Sequence, residues 1–366
     1  MGTGLIGGSI GLALRARHPR VEVVGADADA AEAARALARG AVSRVAPSAA
    51  EAAAAADIVV LAVPTARVPG VLAEIAPRVA PGALVTDVAS VKGPVAQAAR
   101  ELLPAGVAFV GGHPMAGAER GGVAHADALL FENAVYVLTP AGGAAEGALG
   151  GEAPALDPRA VWLAEAVGAR AVAMDAARHD AVVAAVSHLP QLVAVALVDH
   201  AAATGDDALA LAAGGFRDTT RVASSPFGMW GGILDANREA VVATLAAFAE
   251  RLAVLARAVA AADLDALEAA FDRAAETRSA IPSSSKGFLR PLAEVTLWAE
   301  DRVGFLAAVT GALAEAELNV KDLELLRVRE DEGGAFRLAF ADGAAADAAV
   351  SVLRGLGLRA ERRGLP

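Results

Sequence analysis

His113 lies in the stretch Gly111-Gly112-His113-Pro114-Met115-Ala116-Gly117-Ala118-Glu119, a compact run holding one imidazole and one carboxylate. Imidazole, with an ordinary pKa of about 6.5, can take and return a proton near neutral pH. Pro114 fixes its own backbone and biases His113 towards an extended conformation, so the ring is presented from a stiff loop. Alone, such a histidine suits a structural turn as well as a general base. The elements that position it decide between the two.

The chain opens Met1-Gly2-Thr3-Gly4-Leu5-Ile6-Gly7-Gly8-Ser9. Gly2, Gly4 and Gly7 make G-x-G-x-x-G, a pattern that lets backbone approach a pyrophosphate at a helix N-terminus. A helix is predicted from Ile10 to Arg17, then a strand over Val21 to Asp27. Asp27 follows Gly7 by about twenty residues, where a carboxylate accepts from a ribose 2′-hydroxyl. Ala28 and Asp29 supply no arginine for a 2′-phosphate, so the expected cofactor is NAD rather than NADP. Almost nothing precedes the glycines to form the central strand of such a sheet. The expectation is that the true start lies about ten residues upstream, a strand plus a short lead.

Strands are expected at Asp57–Pro64, Ala83–Val88, Val107–Val110, Phe131–Pro140 and Ala169–Met174, alternating with helical patterns as a parallel sheet requires. Ligands sit at the carboxyl ends of such strands. That edge gathers Val63, Pro64, Ser90, Lys92 and His113, and it tips the reading of His113 towards function. Residues 141 to 157 are rich in Gly, Ala and Pro and read as a flexible surface insertion.

From Ala176 to about Thr277 the pattern is helical. Ala181 to Ala203 is apolar on nearly every face, as for a helix buried on all sides. That much apolar surface in one small helical domain points to a homodimer. His188 and Gln191 share a face of this helix, and Pro190 frees the carbonyl near Val186 and kinks it. On spacing alone, His188 is as well explained by a core role as by a ligand role. Gly214 to Arg221 is a polar break carrying Arg217 and Arg221, and residues 283 to 287 read as a linker. From Leu292 the order strand, helix, strand, strand, helix, strand is ferredoxin-like.

The fold expected is thus an α/β Rossmann-type nucleotide domain (1–175), an all-α dimerisation domain (176–282) and a ferredoxin-like α+β domain (292–364). A net charge of −11 argues against nucleic acid, which needs a basic face. The absence of cysteine excludes disulfides and thiolate metal sites, and no metal site is expected. Ser187, His188, Pro190 and Gln191 interrupt the most apolar run, so a bilayer span is not expected and a cytoplasmic location is.

Taken together the motifs resemble the prephenate dehydrogenase family of tyrosine biosynthesis, with an appended ACT domain. The resemblance rests on Gly4 to Ser9, Asp87 to Lys92, Gly112 to Gly117, His179-Asp180, Ser187 to Pro190, and Gly215 to Ala223 with Met229-Trp230. It covers nearly the whole chain; its ACT part rests on Asp301 to Gly304 and Asn319-Val320. It implies oxidation of prephenate, or alternatively of arogenate, with hydride passing to NAD⁺ and loss of CO₂. A non-catalytic sensor is a further alternative. It implies that His113 is the base, held by the Ser90 hydroxyl, that Arg221 holds the ring carboxylate, and that His188 and Gln191 line the substrate pocket. Gly2, Gly4, Leu5, Ile6, Gly7, Asp27, Val63 and Pro64 would hold NAD. Asp301, Gly304 and Asn319 would hold an aromatic amino-acid effector. The chain departs from the family at Gln191, where relatives often carry a second histidine, and at Ala118, where they carry a hydroxyl.

Overall fold

Short aliphatic runs form the strands of the first sheet system. The computed structural model describes residues 1–117, 120–140, 156–280, 292–299, 302–329 and 333–363. Strands β1 (Val24–Gly25) and β2 (Arg44–Val45) pair in parallel. A five-stranded sheet holds β3 (Ile58–Leu61), β4 (Leu84–Asp87), β5 (Ala108–Pro114), β6 (Val135–Pro140) and β7 (Arg170–Ala173) in that order. β3, β4 and β5 are parallel, β6 runs antiparallel to β5, and β7 is parallel to β6.

Residues 1 and 2 stand between the two sheets. Gly2 N–H donates to the Ala26 carbonyl at 2.9 Å, and Ala62 N–H donates to that of Met1 at 2.7 Å. The lateral order β2, β1, residues 1–2, β3, β4, β5 is the doubly wound one. Residues 1–2 occupy its central position, and a cavity of about 620 Å³ is lined among others by Gly2, Val23, Val24, Val59 and Leu163. The strand expected over 21–27 is confined to Val24–Gly25. β4 is buried on both faces: Val85 packs with Leu61, Leu72 and Ile75, and Leu84 with Phe131, Leu138 and Leu163. Such two-sided burial explains its unbroken apolar run.

Two local expectations are corrected. The first helix is Leu5–Arg17, starting five residues before Ile10, so the glycine loop leads straight into it. β5 runs on through His113 and Pro114, paired with β6, so the imidazole rides on a strand and not a loop. Ala118 and Glu119 lie outside the described residues, as does most of the expected 141–157 insertion.

The helical part begins with Ala176–Val183, passes through a π-helical turn at Ala184–His188 and continues as Leu189–Thr204. Pro190 has no N–H to give the Val186 carbonyl, and the expected kink takes the form of this wide turn. The burial expected on all sides is not found within one chain: of Leu189–Thr204 only Gln191 and Ala194 are buried. By length and hydropathy Ala176–Thr204 could cross a membrane, alone among the described helices. The expected polar break is mostly helix (Gly214–Thr220), with a 3₁₀ turn at Arg221–Ser224. Helices Phe227–Ala236 and Arg238–Ala260 follow.

The chain divides into two compact units, Met1–Arg257 and Ala258–Pro366. The second contains helix Leu264–Ser279 and an antiparallel sheet of β8 (Ala293–Ala299), β9 (Asp322–Arg329), β10 (Gly333–Phe340) and β11 (Ala360–Arg362) in the order β11-β8-β10-β9. With helices Phe305–Glu315 and Gly343–Gly355 it realises the expected ferredoxin-like order. Val295, Leu297, Leu338 and Phe340 pack against those helices. Arg337 is buried too, joined to Glu294 at 2.6 Å and Asp322 at 2.8 Å. Asp301 and the linker at 283–287 fall outside the described residues.

Candidate active site

The glycine loop has the shape a dinucleotide needs. Gly2 holds φ +79°, and a Cβ there would strike the Ala62 carbonyl; a Cβ on Gly7 would strike the carbonyl of Gly2. These two glycines are fixed by the tight turn. Gly4, the N-cap of the first helix, faces open space, so a ligand can come against the backbone there. The first-turn N–H groups of a helix lack intrahelical acceptors. No side chain caps this one, which leaves Leu5 and Ile6 to offer donors to an anion. Asp27 closes the loop from the end of β1, Oδ2 accepting from Thr3 N–H at 2.6 Å. Asp29 caps the next helix, so two carboxylates stand at the end of β1, and Arg35, 3.7 Å from Asp29, is engaged by Glu32. Val63, beside Gly2, and Pro64 follow β3 at the same edge. The residues present fit NAD.

Along that edge β4 ends in Asp87, whose carboxylate pairs with Lys92, both side chains fully buried. Asp87 also accepts from Ala89 N–H at 2.8 Å and Gly112 N–H at 3.2 Å. Lys92 Nζ donates to the Gly112 carbonyl at 2.6 Å. Gly111 and Gly112 are glycine because a Cβ would collide with Thr139 at the first and with the Asp87 carbonyl at the second. The ammonium is thereby locked one residue from His113. Burial lowers the Lys92 pKa, and Asp87 opposes the shift.

His113 is half-buried at the end of β5. Its Nδ1 lies 2.9 Å from Nε2 of His179, whose Nδ1 lies 2.7 Å from Oδ1 of Asp180. Asp180 also accepts from the backbone N–H of Lys92 at 2.8 Å and of Gly93 at 2.7 Å. Burial, then Lys92, His179 and His188, push the His113 pKa well below its ordinary 6.5. The ring is therefore neutral at pH 7, as a proton acceptor must be. The expected Ser90 bond to His113 is absent among the described residues; His179 holds the ring instead. Ser90 lies in the loop after β4.

The π turn carries His188, buried, with Nδ1 3.2 Å from Asn237 Nδ2. Asn237 also donates to the Asp180 carbonyl at 2.8 Å. Burial lowers the His188 pKa, His179 adds to this and Asp180 opposes it. Trp230 meets the His188 ring edge-on at 6.0 Å, and its buried Nε1 has no hydrogen-bond partner among the described residues. Gln191 is buried one helical turn after His188. Arg221 is exposed, on the 3₁₀ turn packed against Leu189–Thr204.

The structure thus joins His113 to His188 through His179, Asp180 and Asn237. Sequence reasoning gave those three no role. His179-Asp180 is visible as a motif, but nothing local shows that it reaches a strand 66 residues away. The arrangement links three imidazoles, His113, His179 and His188, by hydrogen bonds through Asp180 and Asn237, and leaves the helix start at Leu5 without a side-chain cap.

Family profiles, curated relatives and solved structures match this chain. The profile of the prephenate dehydrogenase nucleotide-binding domain matches residues 10–150, and that of the prephenate dehydrogenase dimerization domain matches residues 175–273. Prephenate dehydrogenase of Bacillus subtilis is 33% identical, across 93% of this chain and 90% of its own length. The structure of Aquifex aeolicus prephenate dehydrogenase in complex with hydroxyphenyl propionate and NAD⁺ superposes with a TM-score of 0.67 at 28% identity, covering 76% of this chain and 95% of that one. Synechocystis arogenate dehydrogenase gives 0.65 at 30% identity, covering 76% and 96%.

Proposed function

The chain belongs to the prephenate dehydrogenase family, and we propose how its own residues divide that family's reaction. The protein is an NAD-dependent enzyme that oxidises and decarboxylates prephenate to 4-hydroxyphenylpyruvate. NAD⁺, when bound, supplies the hydride acceptor; Gly2, Gly4, Gly7, the N–H groups of Leu5 and Ile6, and Asp27 hold it, with Val63 and Pro64 alongside.

The observation that carries the assignment of roles is the line Asp180–His179–His113, which ends in a neutral imidazole beside the cofactor edge. His113 takes the proton of the ring hydroxyl as the carbinol C–H leaves as hydride. The ring C–carboxylate bond breaks, its electrons complete the aromatic ring, CO₂ departs, and the proton returns to the product phenol. Aromatisation supplies driving force, so these side chains chiefly position the substrate. Arg221 holds the ring carboxylate as a charge-assisted pair, and His188 and Gln191 meet the side chain.

Gln191 favours a second activity. Prephenate carries a keto acid side chain, arogenate an ammonium and a carboxylate. A protonated histidine would repel the ammonium, whereas an uncharged amide can donate to a carboxylate or accept from an ammonium. We infer that the enzyme accepts arogenate as a slower substrate. Initial rates with NAD⁺ and each substrate test both statements: prephenate is expected to be faster, and arogenate turnover measurable. Arogenate turnover alone would overturn the assignment.

The helical part exposes Leu211, Phe227, Val242 and Val254 on one chain, and we read this surface, with Ala176–Thr204, as the contact of a homodimer of a cytoplasmic enzyme. We also propose that the βαββαβ unit is an ACT domain binding an aromatic amino acid near Gly304 and Asn319. Support comes from its strand order and from Gly304, whose φ of +83° turns the chain into a helix. Removing residues from Leu292 onward should abolish inhibition by tyrosine and spare turnover; equal inhibition would place tyrosine in the active site.

A further inference from the structure

We propose that Asp180 is a positioning residue that fixes His113 and His188 in opposite tautomers, one presenting a lone pair to the substrate and the other an N–H. The proposal rests on the reading of His113 as the base and specifies the state in which that base is kept.

The hydrogen bonds run outward from Asp180 in two directions. Its carboxylate accepts from the backbone N–H groups of Lys92 at 2.8 Å and Gly93 at 2.7 Å, so it is an acceptor towards its other neighbour too. The contact from Oδ1 to His179 Nδ1, at 2.7 Å, then requires the proton to sit on Nδ1. Neutral His179 has a lone pair at Nε2, and His113 Nδ1 is 2.9 Å from it. That second contact needs a proton on His113 Nδ1. His113 Nε2 is left with a lone pair, the form a base requires.

The same residue governs the other ring through its main chain. The Asp180 carbonyl can only accept, and Asn237 lies 2.8 Å away with Nδ2 towards it, which fixes the orientation of the amide. The second N–H of Nδ2 points to His188 Nδ1 at 3.2 Å. His188 Nδ1 therefore accepts, and the proton of this ring sits on Nε2, where it can be donated to a substrate oxygen.

The π turn makes the arrangement possible. Residues eight apart on a regular α-helix are displaced by about 80° around its axis. The wide turn at Ala184–His188 absorbs roughly one residue, which returns His188 to about the face that carries Asp180.

The test reads the tautomers directly. In protein labelled with ¹⁵N-histidine, long-range ¹H–¹⁵N spectra distinguish protonated from unprotonated ring nitrogens. The six histidines are few enough to assign His113 and His188 by loss of signals in His113→Asn and His188→Asn. Near pH 7.5 we expect His113 protonated on Nδ1 alone and His188 on Nε2 alone. The same tautomer in both rings, or a proton on His113 Nε2, would overturn the proposal. Kinetics give a second reading. His179→Leu should lower kcat about 10–100-fold, the usual cost of losing a partner that orients a functional group. KM for NAD⁺ should be unchanged. His179→Gln, whose carbonyl can accept from Nδ1–H, should recover most of the rate. In a His113→Asn background, His179→Leu should cost nothing more, because it acts only through that ring. Equal losses in the Leu and Gln variants, or a further loss in that background, would show that residue 179 merely shapes the fold. A normal kcat in His113→Asn alone would remove the base assignment instead, and the spectra would still report the tautomers.

Discussion

The two ends of the site's sheet edge are built in different ways. The cofactor end is almost all backbone, drawn from residues 1 to 7 with one carboxylate, Asp27, brought in by the neighbouring strand. The end we assign to proton transfer is built chiefly from side chains, gathered from Asp87 and Lys92, His113, the helix carrying His179 and Asp180, the π turn with His188, and Asn237. Backbone recognition tolerates solvent and needs only room; Gly4 faces open space. A proton acceptor must be kept neutral and aimed, and on our reading a largely buried hydrogen-bond network does that here. Damage at the first end should therefore weaken NAD binding, and damage at the second should slow turnover or unfold the protein.

The largest effect expected is from His113→Asn, which should lower kcat about 10²–10⁴-fold, the usual contribution of general base catalysis, and leave NAD⁺ affinity intact. Next is Lys92→Met. It strands Asp87 without its ammonium, and breaking a buried pair from one side costs about 3–5 kcal/mol; urea unfolding would measure it. If stability hardly changed, this end would be less tightly built than its bonds indicate. Asp27→Asn should weaken NAD⁺ binding by about 1.5–3 kcal/mol, a hydrogen bond to a charged group, with kcat at saturating NAD⁺ little altered. Gln191→His should shift relative kcat/KM from arogenate towards prephenate by about 1–3 kcal/mol, the cost of one mismatched polar contact. A fixed ratio with both activities intact would show that residue 191 does not read the side chain.

The smallest effect concerns pH. Burial and the neighbours Lys92, His179 and His188 depress the His113 pKa below 6.5. Between the folded pKa and about 6.5 the unfolded chain binds a proton that the folded one refuses, so stability should fall as pH drops through that window. Above about 6.5 both forms are neutral and this contribution is flat. The acid limb of kcat/KM should for the same reason lie below 6.5. A limb above 6.5 would mean that the ring is not kept neutral as the structure has it.

The same contrast explains how much was legible beforehand. Gly2, Gly4, Gly7 and Asp27 can be read from sequence because their roles follow from local conformation and one spacing. The alternation of strands and helices and the ferredoxin-like order were legible for the same local reason. His113 and His188 are visible as candidates, but their partners are not, because His179 meets His113 only after β5 and the helix Ala176–Val183 pack together. Ser90 was expected to hold His113 on resemblance; its place was taken by a residue far along the chain. Helix burial misled in the opposite direction. Leu189–Thr204 is apolar on most faces yet largely uncovered in one chain, since composition cannot say whether apolar surface meets its own chain or a second copy.

The most direct test of the division of labour is to measure NAD⁺ affinity and prephenate turnover on the same preparations of His113→Asn and Asp27→Asn. The account predicts a crossed result. His113→Asn binds NAD⁺ like the unaltered enzyme and loses turnover, whereas Asp27→Asn binds NAD⁺ more weakly and turns over normally once it is saturated. If both quantities fall together in His113→Asn, that histidine is a structural residue and the base must be sought elsewhere.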